Sequence, residues 1–316
     1  MPHATAPPEG SVEAVVNYHY EPAPGEKTKI PYINSAGSKR MKNTPQVVRI
    51  TDLRSTDNHF TVDEHGFQFL KYPGPVGQKY ESFDNEDTVK GVILKEAEEL
   101  IKKTTGASNV YALHHVVRRD PAPEAEHIPA DVPNDAVWNS KNTPAMHVHI
   151  DQSYRGANLM LPHLKFEGVE HFRSKAETCR WAVINLWKPL KTITRQPLAI
   201  CDATSVPESD LRAYPMMVRA DDALDTQERE FELWHVMASS EHKWYWPSEM
   251  RPDEALLIKC YDSKLEGVAR RAPHSAFNLP DDQGPPRESI EISLPNEPKS
   301  AMSAWYTSAR AQLPPT

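Results

Sequence analysis

Between residues 146 and 294 the chain is cut into short apolar segments by polar and proline-bearing turns. They are 146–151, 179–188 (CRWAVINLWK), 197–202, 230–238 (EFELWHVMA), 255–261 (ALLIKCY) and 288–294 (SIEISLP). Each has the length of a strand, and most are rich in β-branched or aromatic side chains. A series of such segments with turns between them predicts a sandwich or barrel-like β core. The first half adds SVEAVVNYHY, VVRITDLR and HGFQFLKYP as further strands, and NVYALHHVVRRD as a central strand. Proline is high at 29 and glycine low at 12 among 316 residues. That balance suits a loop-rich β protein with rigid connections and argues against a helical bundle.

One stretch has a clear helical period. In NEDTVKGVILKEAEELIKKTTG, residues Val89, Val92, Ile93, Ala97, Leu100 and Ile101 recur at helical spacing. Acidic residues crowd its start, lysines its end, and Gly106 follows as a stop. A helix over 86–105 is therefore expected on the outside of the β core, and a second helix within 162–178. The fold class is mainly β with flanking helices (α+β). Residues 1–10 read as a disordered tail, 11–295 as a single domain, and 296–316 as a C-terminal extension. In that extension Met302, Trp305, Tyr306 and Ala309 fall on one helical stripe. The stripe either docks on its own domain or meets a second chain, as a homo- or heterodimer. Residues 21–46 read as an arm over the surface, and the proline-rich 121–146 as a loop that covers something.

Charge narrows the partners. Lys+Arg is 36 against Asp+Glu 44, a formal net charge of −8. An acidic chain with no basic cluster argues against nucleic acid and anionic membranes. No apolar run approaches a membrane span, and the start, MPHATAPPEG, has no signal-peptide core. Cys179, Cys201 and Cys260 are widely spaced and odd in number, which fits reduced thiols and a cytoplasmic protein.

The chemistry concentrates in NTPAMHVHIDQSYRGA, residues 142–157. On a strand, alternate side chains share a face, so His147, His149 and Asp151 point one way. His149 and Asp151 form the His-x-Asp half of a two-histidine, one-carboxylate metal site. Such a set leaves three adjacent positions open on iron(II). The third ligand has candidates in His163, His171, His235, His242 and His274. His274, in RRAPHSAFNLP, is the best placed of them: it follows the strand-like ALLIKCYDS and a short polar turn, near the start of a strand that can face the same cavity. Thirteen residues on, Arg287 and Ser289 in PPRESIEIS stand on one strand face. A guanidinium and a hydroxyl so placed can clamp a carboxylate, the arginine in bidentate fashion. Metal ligands followed by a carboxylate clamp are what an oxygenase using iron(II) and 2-oxoglutarate requires. Singly, each piece has a plainer reading: a packing histidine at 147, a turn carboxylate at 151, a loop histidine at 274, an ion pair of Arg287 with Asp281 or Asp282. A cupin-like dioxygenase without 2-oxoglutarate is a rival, but Gln152, Ser153 and Tyr154 occupy the region where a cupin carries its glutamate.

HVHIDQS, INLWKPL, PLAICDATSV, HKWYWPSEMRPDEALLIKCYDS, APHSAFNLP and PPRESIEIS together resemble the fungal asaB-type hydroxylase/desaturase family. VRITDLR, DEHGFQF and TTGASNVYALHHVVRR resemble it too, so the likeness spans roughly residues 45–294. That family is similar to gibberellin desaturases and to methoxylase components of cephalosporin pathways. The resemblance implies a double-stranded β-helix (jelly-roll) core, Fe(II) and 2-oxoglutarate, and oxidation of a C–H bond in a fungal secondary metabolite. It implies His149, Asp151 and His274 as metal ligands and Arg287 with Ser289 as the 2-oxoglutarate clamp. The family's Trp-x-Pro strand matches Trp187–Pro189. Asn185 and Trp187 alternate onto one face, where they either line the substrate pocket with His147 or pack the core. Two departures stand out: fewer cations in RGANLMLPHLKFEG after the His-x-Asp, and the added tail. They leave open a supporting, non-catalytic subunit of a heteromeric oxygenase.

Overall fold

A computed structural model describes residues 9–26, 29–74, 80–120, 128–138, 142–220, 227–280 and 284–297. Most of the expected tail at 1–10, part of the 121–146 loop, Asp281, Asp282 and the stripe from Met302 to Ala309 lie outside the described residues. The strands, in chain order, are β1 (Ser11–His19), β2 (Asn43–Asp52), β3 (Phe67–Lys71), β4 (Asn109–Val110), β5 (His114–Arg118), β6 (His149–Ile150), β7 (Ala182–Pro189), β8 (Leu198–Cys201), β9 (Leu211–Val218), β10 (Arg229–Val236), β11 (Trp244–Trp246), β12 (Glu254–Asp262), β13 (His274–Ala276) and β14 (Ser289–Glu297). The helices are α1 (Ala36–Lys39), α2 (Glu86–Thr88), α3 (Leu94–Thr105), α4 (Tyr154–Met160) and α5 (Val169–Ala176).

The strands form two sheets. One runs β1-β2-β11-β8-β13-β6-β10-β9, the other β3-β12-β7-β14-β4, with β5 also on β14. Both contribute to one core: Val16, Ile50, Ile150 and Ile200 from the larger sheet, Phe67, Val183, Trp187 and Ile258 from the smaller. Burial of these side chains, each worth about 1.5–3 kcal/mol, is what holds the sheets face to face. β7 and β12 are buried along their whole length. Their second face meets a separate core of Ile184, Leu186, Leu257, Ile290 and Ile292, which α3 covers with Ala97 and Ile101. The smaller sheet is thus sandwiched, and its middle strands read as near-continuous apolar runs for that reason.

The long helix forms where its period places it, with one correction. Asn85 caps its start by accepting from the Thr88 N–H, and Gly106, at φ 69°, ends it. Between α2 and α3, residues Val89–Ile93 make a π turn. The wider turn shifts the phase of the stripe, so Val89 and Ile93 are buried while Val92 is 45% exposed. NVYALHHVVRRD is also not a central strand. It breaks into β4 and β5, both lying along β14, whose other edge carries β7. The second helix expected within 162–178 is α5, preceded by a 3-10 turn at Leu161–His163. α4 begins earlier, directly after the His-x-Asp. β9, β11 and β13 fall outside the segments expected from the sequence: β9, eight residues long, carries a proline and an arginine, and β11 and β13 span three residues each. β14 runs past residue 295 to Glu297.

Candidate active site

His149 sits in β6 between β13 and β10, paired with His274 on one side and His235 on the other. Asp151 follows at the strand's end. The register alone therefore brings His149 and His274 side by side, with ring centroids 4.5 Å apart. His149 Nε2 lies 3.4 Å from Asp151 Oδ1, and His274 Nε2 lies 3.9 Å from the same oxygen. Among the described residues these three are the group whose ligand atoms all fall within 4.8 Å of one another. His149 Nδ1 donates to the His147 carbonyl at 2.8 Å and His274 Nδ1 to the Ala272 carbonyl at 3.2 Å. A carbonyl only accepts, so each Nδ1 carries the proton and each Nε2 is left for a metal.

The other carboxylate oxygen is held from behind. Asp151 Oδ2 accepts from Asn185 Nδ2 at 2.6 Å and from the Cys260 thiol at 3.5 Å. Burial, with the Asp151 charge beside it, pushes the Cys260 thiol well above its ordinary range, so it stays a donor. Burial opposes ionisation of Asp151, but the His149 hydrogen bond and the His274 charge outweigh it and hold the carboxyl low. Burial likewise opposes protonation of His149, and the Asp151 contact reverses it, so the imidazole is raised. In His274 burial dominates, followed by the His149 charge, and the imidazole is lowered. The cluster therefore holds an anionic carboxylate beside imidazoles, a hard and borderline donor set that suits iron(II).

α4 closes the site from the side. Ser153 caps it, accepting from the Gly156 N–H at 2.7 Å and donating to Glu232 Oε1 at 2.5 Å. The backbone of Glu232 comes so near that a Cβ on Gly156 would stand 1.9 Å from its carbonyl oxygen.

Ser289, the first residue of β14, and Arg287, two residues before that strand, are both buried in the interior. Arg287 is 3% exposed. Its guanidinium donates to the Gln196 carbonyl at 2.9 Å and lies over the Trp187 ring at 5.2 Å. Its Nε and the Ser289 hydroxyl are buried with no partner. Burial, with the Arg118 charge, pushes the guanidinium down to about 9. A buried cation with a donor still unspent, beside a buried hydroxyl without a partner, fits a carboxylate ligand.

A cavity of about 390 Å³ opens at Asp151 and is lined by Asn185, Gln152, Met160, Leu164, Phe231 and Glu291, among others. His114, Val116 and Arg118 reach it from alternate positions of β5. His147 and Trp187 do not line it. His147 packs between His149 and His235, with ring centroids 4.7 and 5.4 Å away. Trp187 lies in the core beneath Arg287. A larger depression of about 820 Å³ around Arg270 and Arg271 holds none of the metal-site or clamp residues. Sequence reasoning missed Glu291, Cys260, His114 and Arg118. Glu291 carried a signal: Arg287, Ser289, Glu291 and Ser293 alternate on one face.

A family model described as an oxidoreductase/YMDC permease-like domain matches residues 9–294. The hydroxylase/desaturase efuI of Hormonema carpetanum is 42% identical over 89% of this chain and 93% of its own length. The chain belongs to the hydroxylase/desaturase family. The alpha-ketoglutarate-dependent dioxygenase phiK of a fungal species is 33% identical over 92% of this chain and 98% of its own length. Among solved structures, the iron and alpha-ketoglutarate-dependent endoperoxidase NvfI has a TM-score of 0.68 at 23% identity, covering 92% of this chain and all (100%) of that one. That likeness establishes the jelly-roll fold. As a member of the hydroxylase/desaturase family the chain is an iron(II)- and 2-oxoglutarate-dependent oxygenase. No helix among the described residues is long and apolar enough to cross a membrane.

Proposed function

We propose that this chain oxidises a C–H bond of an apolar fungal secondary metabolite, with His149, Asp151 and His274 holding iron and Arg287 with Ser289 holding the far carboxylate of 2-oxoglutarate. The observation that carries the reading is the convergence of the three ligand atoms within 4.8 Å beside a buried guanidinium with an unspent donor. When bound, iron(II) and 2-oxoglutarate supply the oxidising power, consuming oxygen and releasing succinate and carbon dioxide. The chain's own residues do the rest. The Nδ1 hydrogen bonds aim both imidazoles. Asn185 and Cys260 hold the rear oxygen of Asp151. Trp187 gives the guanidinium an aromatic face. Met160, Leu164 and Phe231 present an apolar wall beside the metal ligands, where a hydrocarbon skeleton displaces water.

Residues 11–295 act as one catalytic unit in this reading, and the three cysteines, all free, suit the cytoplasm. A second chain would dock through the stripe of Met302, Trp305, Tyr306 and Ala309, and truncation after Glu297 followed by sedimentation tests that. A supporting subunit would have no need of convergent ligands and an unpaired clamp. The deciding experiment is succinate formation from 2-oxoglutarate by the iron-loaded protein. The wild type is expected to form it and Asp151→Ala is not. No succinate from the wild type, with or without fungal extract, would overturn the enzymatic reading.

A further inference from the structure

Behind Asp151 the contacts continue across the smaller sheet. Asn185, on β7 and 3% exposed, uses both hydrogens of its amide: one goes to Asp151 Oδ2 at 2.6 Å, the other to Glu291 Oε1 at 2.9 Å. Ionised carboxylates only accept, so the amide nitrogen must lie between them and its orientation is fixed. Asn185 stands opposite Ser293 in the pairing of β7 with β14, which places Glu291 one step along the same face. The second oxygen of Glu291 accepts from Arg118 on β5 at 3.4 Å. Three strands of one sheet thus pass a fixed geometry to a carboxylate that belongs to the other.

We infer that Glu291 is a positioning residue for the metal site: it locks the Asn185 amide, which pins Asp151 Oδ2 and leaves Oδ1 alone facing the two histidines. This rests on reading His149, Asp151 and His274 as the iron site. The physical reason is torsional. A carboxylate turns in a broad, two-fold well about its last bond, and so does an amide. With Glu291 absent, the Asn185 amide has one anchor and can turn over, setting its oxygen against Asp151. The carboxylate then swings and presents either or both oxygens to the metal. The outer partners of metal ligands characteristically carry about 10–100-fold of affinity, and Glu291 stands one place further out, acting through Asn185.

The test is anaerobic titration of the full chain with iron(II) at saturating 2-oxoglutarate, followed by the visible band of the ternary complex. Glu291→Ala is expected to weaken iron binding by about 10-fold or more, while its thermal midpoint stays within a few degrees of wild type. Glu291→Gln keeps an acceptor for Asn185 and is expected to bind within about threefold of wild type. If only the negative charge of Glu291 mattered, Gln would fail as Ala does, and the inference would be wrong. It would also be wrong if Glu291→Ala bound iron like the wild type. Should Glu291→Ala not fold, Glu291→Leu, which fills the space and leaves Asn185 no acceptor, serves instead: it is expected to weaken iron binding by about 10-fold or more, and binding like the wild type would contradict the inference. A wild type that binds no iron would instead bring down the site assignment itself, and this inference with it.

Discussion

The guanidinium of Arg287 lies over the indole of Trp187, 5.2 Å from its centroid, and donates to a single carbonyl, that of Gln196. Among the described residues it has no ion pair. A buried cation of this kind costs stability until an anion arrives. Arg287→Met should therefore leave the ligand-free protein at least as stable as wild type, by thermal unfolding, while weakening 2-oxoglutarate binding by about 2–5 kcal/mol. A large loss of stability without loss of binding would mean that the arginine is structural.

Gly156 supplies a steric prediction. Its missing side chain lets α4 rest on the Glu232 carbonyl, and a Cβ would stand 1.9 Å from that oxygen. Gly156→Ala should cost about 1–3 kcal/mol in denaturant unfolding, because helix and strand must separate.

Acid sensitivity has a nameable source. Glu254 is fully buried, yet Arg54 and the Arg251 N–H overcome the burial and hold its carboxyl down at about 2. The unfolded chain takes up this proton near 4.5, so between the two values unfolding binds a proton. The contribution is whole above about pH 4.5 and is lost as pH falls towards 2, up to about 3 kcal/mol. Glu254→Gln, less stable at neutral pH, should show a flatter decline over that window in pH-dependent unfolding.

Metal and cosubstrate should stabilise the fold through mass action. Manganese(II) with 2-oxoglutarate, each at about a hundredfold its dissociation constant, adds about 3 kcal/mol or more and raises the melting temperature. A chelator should reverse the shift, and His274→Ala should abolish it. A shift that survives in His274→Ala would place the ion elsewhere.

Much of this was legible in the residues because their constraints are local. The period of Val89, Ile93, Ala97 and Ile101 follows from a helix with one apolar side. The pairing of His149 with Asp151 follows from strand alternation continued one residue beyond β6. What escaped depends on partners distant in sequence. Val92 points outward because a π turn changes the phase, which no propensity signals. NVYALHHVVRRD has the composition of a central strand but lies along the edge of β14, since β7 and β12 supply more apolar faces. Glu291, Cys260 and Arg118 acquire meaning only when β14, β12 and β5 stand behind Asp151. Cys260 is turned there by an irregularity in β12 between Lys259 and Tyr261, where its register with β7 slips.

The central claim is that His149, Asp151 and His274 hold one iron beside a 2-oxoglutarate site. The most direct measurement is anaerobic iron content per chain, with the visible band that 2-oxoglutarate produces on the iron(II) protein, in wild type and His149→Ala. One iron and the band in the wild type, both lost in the variant, is the predicted result. No iron and no band in the wild type, or a band that persists in His149→Ala, would contradict it.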